Sequence, residues 1–313
     1  MKKPYVLAAI CAVLCFFSLL YILTRAHGFI LLDPVGLIAI AERDLLVRAV
    51  LLMCIVVVPV IILAIFIAWH YREQNTKAKY TPDWEHSKME ELIWWSIPLE
   101  IVLVLGALTW SSTHSLNPET PIPSTERPLT VEVVALPWKW LFIYPDENVA
   151  SVNELALPID RPITFHITAD APMNSFWIPA LSGQMYAMTG MATVLNIITY
   201  STGTYTGRSA NYSGEGFADM TFTVHALTQD DFAQWVARAK DAPEELTEAR
   251  YTTLSVPSER GPVTYFRAVT VSFDDIVARG MGMESHRTSP VHHGHMTLPS
   301  SSATVGSTST TTP

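Results

Sequence analysis

The chain has 313 residues, is 49% hydrophobic and carries a formal net charge of -9. That charge argues against nucleic acid as a partner, while the apolar content allows an ordinary soluble domain together with membrane segments. Its 3 cysteines, Cys11, Cys15 and Cys54, lie in apolar segments near the N-terminus, which excludes thiolate metal sites and disulfides from the C-terminal half.

Three apolar runs, at 6–23, 49–69 and 92–110, are long enough to cross a bilayer. The first follows Lys2 and Lys3 and reads as a signal sequence or an uncleaved first membrane segment within residues 1–28. The other two predict a transmembrane hairpin within 29–115, with Pro59 in the first of its spans and a single acid, Glu100, in the second. Trp69, Tyr71, Trp94, Trp95 and Trp110 suit an interfacial aromatic belt. The connection 70–90 holds Arg72, Lys77, Lys79 and Lys88. Such a loop stays in the cytoplasm, which puts everything after Trp110 on the other side of the membrane.

From about residue 128 the pattern changes to short alternating runs separated by Pro and Gly. Strands are predicted at 129–135, 138–144, 163–169, 193–198 and 220–226, which suggests a β-sandwich over 128–228. A helical extension is expected over 229–284. In its first helix, 230–242, Phe232, Trp235, Val236 and Ala239 share one face and Asp230 and Asp231 sit at the start. A second helix is expected near 273–279. Residues 285–313 hold His286, His292, His293 and His295 and then Ser and Thr, the composition of a disordered tail.

The most specific pattern is Ser-Ala-Asn-Tyr-Ser-Gly-Glu-Gly-Phe-Ala-Asp-Met at 209–220. It resembles the copper-binding loop of cytochrome c oxidase subunit II, whose spacing is Cys-x-Glu-x-Cys-x-x-x-His-x-x-Met. Ser209 and Ser213 stand at the two cysteine positions, Asn211 at the glutamate and Phe217 at the histidine. Only Met220 is kept, and Asn174 occupies the place of the remaining histidine. A copper pair needs thiolate bridges and imidazole nitrogens, and this set supplies neither. The chain is therefore similar to subunit II of bacterial bo-type ubiquinol oxidases, a branch of the haem-copper oxidases.

That resemblance implies an α+β membrane protein in which transmembrane helices precede a cupredoxin-like Greek-key sandwich without copper ligands. It implies no cofactor in this chain, haems and copper in subunit I, partnership with the other oxidase subunits, and ubiquinol as the substrate of the complex. The location implied is the bacterial inner membrane, with the C-terminal domain in the periplasm. Subunits II of quinol oxidases are often lipoproteins, with a cysteine shortly before a stretch like Leu31-Leu32-Asp33-Pro34; here His27 stands at that position. The aromatic segment holding Trp138 and Trp140 resembles an electron-receiving stretch, but with no copper beneath it the expectation is packing. Met185 and Met188 are likewise expected in the core or at a docking face.

Two acids belong to the membrane region. Glu91, seven residues before Pro98, matches a subunit II glutamate at the mouth of a proton pathway into subunit I; the bland alternative is an interfacial acid paired with Lys88 or another base. Glu100 falls nine residues later, on the opposite helical face, where an apolar residue is usual. Two other readings stay open: a cytochrome c oxidase subunit II, and a membrane-tethered cupredoxin-fold scaffold with no oxidase attached.

Overall fold

The computed structural model describes residues 30–79, 81, 86–258 and 261–282, together with Phe17, Ser18 and Tyr21. The remainder of the first apolar run and the expected histidine tail lie outside the described residues.

Helix α1 spans Leu37–His70, 34 residues, which is ~51 Å at 1.5 Å per residue. A bilayer core needs only ~30 Å, and the run 49–69 supplies that length. The start of the helix docks instead on the β-domain, as far as Glu42, whose carboxylate lies against Gly183. The amides of Val35 and Gly36 both donate to the Ala180 carbonyl, at 2.8 and 3.0 Å, and that of Leu37 donates to Ile198 O at 3.1 Å. Gly36 permits this approach, because a Cβ there would collide with the Leu181 backbone. Helix α2 spans Lys88–Ser115, 28 residues with Pro98 inside, and returns the chain to the domain. Both helices are long and apolar enough to cross a membrane.

The β-domain is built from β1 (Leu129–Leu136), β2 (Lys139–Tyr144), β3 (Val149–Val152), β4 (Glu154–Pro158), β5 (Ile163–Ala169), β6 (Asn174–Trp177), β7 (Met185–Ala187), β8 (Thr193–Ile197), β9 (Gly203–Ser209), β10 (Thr221–Leu227) and β11 (Thr264–Phe266). They form two sheets, ordered β11-β3-β2-β1-β5-β8 and β4-β10-β9-β6-β7. The β1–β5 and β10–β4 pairs are parallel and the other ladders antiparallel. Between the sheets Trp140, Phe142, Phe165, Phe176 and Phe222 interlock, with Phe176 stacked on Phe222 at 5.3 Å and Trp140 meeting Phe176 edge-on at 5.4 Å. This is the cupredoxin-like sandwich that the sequence implies.

The larger sheet has an apolar outer face as well. Val134, Leu136, Leu141, Ile143, Ala150 and Val152 are covered by Leu246, Tyr251, Phe266, Val271, Phe273 and Ile276 of the C-terminal extension. A strand buried on both faces loses its alternation, which is why β3 gives no period-two signal. The extension comprises α3 (Gln229–Lys240), α4 (Glu248–Leu254), β11 and α5 (Phe273–Gly280). In α3 the face expected from spacing is the buried one: Phe232, Trp235, Val236 and Ala239. Thr228 caps that helix by accepting from the Asp231 amide at 3.2 Å.

One predicted strand begins a residue late. Trp138 lies in the turn between β1 and β2, where Leu136 pairs with Lys139, and its φ is +62. After Pro137 that position favours glycine, so the ring must be held by contacts elsewhere.

Candidate functional site

The loop after β9 lies against β6, where Phe176 pairs with Ser209. Ser209 and Asn174 are 35 positions apart in sequence and meet: the Ser209 hydroxyl donates to Asn174 Oδ1 at 2.9 Å. Both are buried, with 5% and 1% of their surface exposed. Asn174 Nδ2 donates onward to Pro172 O at 2.8 Å, and Asn211 Nδ2 donates to Met173 O at 3.0 Å. Met220 sits in the core with 1% exposed, and its carbonyl accepts from Ser209 N at 3.1 Å. Phe217 packs edge-on against Tyr212 at 5.6 Å.

These residues do not fit a copper pair. The donor set offers one thioether, hydroxyls, amides and a phenyl ring, with no anionic bridge and no imidazole. Of the buried polar groups, Asn174 and Ser209 satisfy one another, while the Ser213 hydroxyl oxygen is buried without a partner among the described residues. Among the described residues no cluster of three or more His, Cys, Asp and Glu side chains could hold a metal ion.

Sequence reading missed what holds the loop. The Trp138 indole Nε1 donates to Ser213 O at 3.3 Å, and a Cβ on Gly216 would run into the Trp138 ring. The strained turn and the glycine-containing loop thus lock together. Trp140 is wholly buried, so both tryptophans pack, as expected. Met185 packs against the same core. The signal for the Trp138 latch was available in Gly214 and Gly216, but nothing local says which ring they receive.

Two further polar anchors tie the C-terminal extension down. Lys139 is 4% exposed, and its Nζ donates to the Leu254 and Val256 carbonyls at 2.9 Å each, satisfying the end of α4. Burial lowers its pKa from the ordinary lysine value. Glu154 accepts from Trp235 Nε1 at 2.9 Å and from the Tyr265 hydroxyl at 2.6 Å, with His225 Nε2 3.6 Å away. Burial, and then the bonded Glu154, push the Tyr265 phenol above its usual range. On the outer face of the larger sheet Glu132 is pushed up to about 7, by burial first and by Asp274 second; His166 stands opposite it on β5.

Glu91 lies in the first turn of α2, at the loop end of the hairpin. From there to Ser115 is ~36 Å of helix, so this acid and the β-domain occupy opposite ends of the hairpin. Its partner is not Lys88 but His86, whose Nδ1 is 3.4 Å from Glu91 Oε1. The carboxylate remains 42% exposed.

A helical hairpin carrying a cupredoxin-like sandwich in which only Met220 of the copper-ligand pattern remains defines a class: subunit II of the haem-copper oxidases. Residues 145–227 match the cytochrome c oxidase subunit II periplasmic domain family and residues 240–284 match the COX aromatic rich motif. Cytochrome bo(3) ubiquinol oxidase subunit 2 of Pseudomonas putida is 45% identical, covering 88% of this chain and 88% of that protein. The Pseudomonas aeruginosa protein of the same name is 48% identical over 77% of this chain and 72% of its own length. Among solved structures, the periplasmic domain of subunit II of cytochrome oxidase from Bradyrhizobium japonicum covers 38% of this chain and 97% of its own at 24% identity, with a TM-score of 0.36. The chain belongs to the ubiquinol oxidase subunit 2 family, a family of oxidoreductase subunits.

Proposed function

We propose that the chain is the non-redox subunit II of a proton-pumping ubiquinol oxidase that reduces oxygen to water, with haems and copper carried by subunit I. One observation carries this reading: the Ser209–Asn174 hydrogen bond joins a bridging-cysteine position to a histidine position of the copper frame, in a chain of the ubiquinol oxidase subunit 2 family. A copper pair outside the membrane serves a soluble one-electron donor. A lipid-borne quinol delivers its electrons within the membrane and needs no such acceptor.

The work left to this chain is assembly, covering the outer face of subunit I, and proton uptake. Glu91 is the uptake group: a carboxylate at the membrane boundary collects protons, and His86 beside it can accept or hand one on. The location proposed is the bacterial inner membrane, with the β-domain in the periplasm. Arg72, Lys77, Lys79 and Lys88 around the opposite loop support that orientation.

The test is oxygen uptake by the detergent-purified complex, with ubiquinol and reduced cytochrome c as alternative donors. Uptake with ubiquinol alone is expected. Rapid uptake with cytochrome c, or a copper-type near-infrared band, would return the chain to the cytochrome c oxidases; a tagged chain that brings down no haem would make it a scaffold.

A further inference from the structure

Glu100 stands between two indoles of α2, Trp95 and Trp110, which are 75% and 73% exposed. Exposed tryptophans mark the two interfaces of a membrane helix. They are ~22 Å apart along the axis, and Glu100 is ~4 Å from the midpoint between them. This acid therefore sits near the centre of the apolar layer, where an ionisable group is kept only with a partner or a purpose.

The described residues supply no such partner. None of the runs 6–23, 49–69 and 92–110 contains Lys, Arg or His. Among the described residues no ion pair or hydrogen bond involves the Glu100 side chain. Partly covered residues of α2 form one stripe, Ile101, Leu105, Leu108 and Ser112, while Glu100 lies ~100° round the helix from Ile101. On its own open face stand Ile93, Ser96, Val104, Ala107 and Ser111, at offsets of -7, -4, +4, +7 and +11, and of these Ser96, Ala107 and Ser111 are small. Small and hydroxyl side chains let another helix approach closely. Glu91 is half a circle away, so the two acids serve different neighbours.

We propose that Glu100 is the intramembrane docking residue of this subunit: it pairs with an Arg, Lys or His at the same depth on a transmembrane helix of another oxidase subunit. This rests on the reading of the chain as an oxidase subunit. Charge complementarity selects the occupant, because an acyl chain offers this carboxylate neither a proton donor nor a cation. The flanking small residues set how near the helix comes.

The experiment uses the full complex, purified through a tag on this chain, with haem recovered per tagged chain as the first readout. Glu100→Leu is expected to insert normally but to lose about fivefold or more of its haem at raised detergent, the scale of one interhelical hydrogen bond. Glu100→Gln, which keeps an acceptor, should fall between. The second readout is labelling by the apolar reagent dicyclohexylcarbodiimide, read at the Glu100 peptide by mass spectrometry. Protection in the intact complex, with labelling once the chain is dissociated, is expected. Equal labelling in both states, or a Glu100→Leu complex that retains haem like the parent, would sink the docking role and leave a lipid-facing or quinol-facing acid. If the parent chain itself recovers no haem, the oxidase reading fails first, and this proposal with it.

Discussion

The β-domain and the helical hairpin treat polar groups in opposite ways. In the domain, the polar side chains that matter are answered from within: Ser209 by Asn174, Glu154 by Trp235 and Tyr265, Lys139 by the carbonyls at the end of α4. In the hairpin, Glu91 remains 42% exposed and Glu100 has no side-chain partner among the described residues. The domain answers most of its buried polar groups itself, with Trp140 Nε1, Thr199 Oγ1 and Ser213 Oγ left without a partner among the described residues. On the readings proposed above, the hairpin presents these acids to other subunits, although Glu91 also meets His86 within the chain. A subunit that has lost its redox centre but keeps its place in a complex would divide its polar groups in this manner.

The largest expected effect sharpens the contrast between packed and presented aromatics. Trp140→Ala opens a cavity in the sandwich and should lower stability by ~3–5 kcal/mol. Trp95→Ala, at an exposed site on α2, should leave the unfolding of the β-domain within ~0.5 kcal/mol. Thermal unfolding followed by circular dichroism in detergent separates the two, and similar losses would erase the distinction. Next, Glu91→Gln should slow ubiquinol-driven oxygen uptake about tenfold, equivalent to ~1.4 kcal/mol of barrier, without moving the unfolding midpoint. Glu91→Asp should recover part of the rate; a Gln variant at full rate would mean that the acid is merely interfacial.

Smaller effects test the closed loop. Ser209→Ala leaves Asn174 Oδ1 buried without its donor and should cost about 1–2 kcal/mol, with oxygen uptake unchanged. A large loss of uptake would give the loop a role in turnover that its donor set does not suggest. An effect of similar size, spread over several pH units, concerns Glu132. Glu132 is pushed up to about 7 in the fold, against 4.5 unperturbed, so the folded state holds that proton more tightly than the unfolded one. Its contribution is greatest below about pH 4.5 and is lost as the pH rises through 7. Allowing for solvent screening, the decline is roughly 1–2 kcal/mol. Glu132→Gln should flatten the unfolding midpoint between pH 5 and 8; an unchanged slope would place the titration elsewhere.

Much of the architecture was readable because its signals are local. Apolar length marks both helices of the hairpin, and 3.6-residue spacing marked the buried face of α3. Strands β1, β5, β8 and β10 alternate enough to be seen. Strands β3, β4, β6, β7 and β11 are short or, like β3, buried on both faces, and went unread; β9 went unread because its residues are largely Gly, Thr and Arg and give no apolar alternation. Helix α4 was also missed, since its seven residues are held by Lys139 and by Tyr251 packing, not by an amphipathic repeat. A lysine between two tryptophans looks like a solvent-facing residue of an alternating strand. Only the folded extension shows why it is buried.

By itself the sequence determined which chemistry is absent and where acids stand along the chain. The number of carbons and heteroatoms on residues 174, 209, 211, 213 and 217 settles what they can donate, whatever the fold. It also determined the membrane lengths, since crossing a bilayer is a matter of contiguous apolar residues. What only the tertiary structure decided is which of these residues meet. Asn174 and Ser209 become partners because β6 and β9 pair in one register. Trp138 holds the loop because a turn at positive φ aims its ring at Gly216, and α1 extends beyond its apolar run because Gly36 lets its start approach Leu181. Such contacts join residues far apart in sequence, and their energy exists only once the backbone has brought both partners to one place.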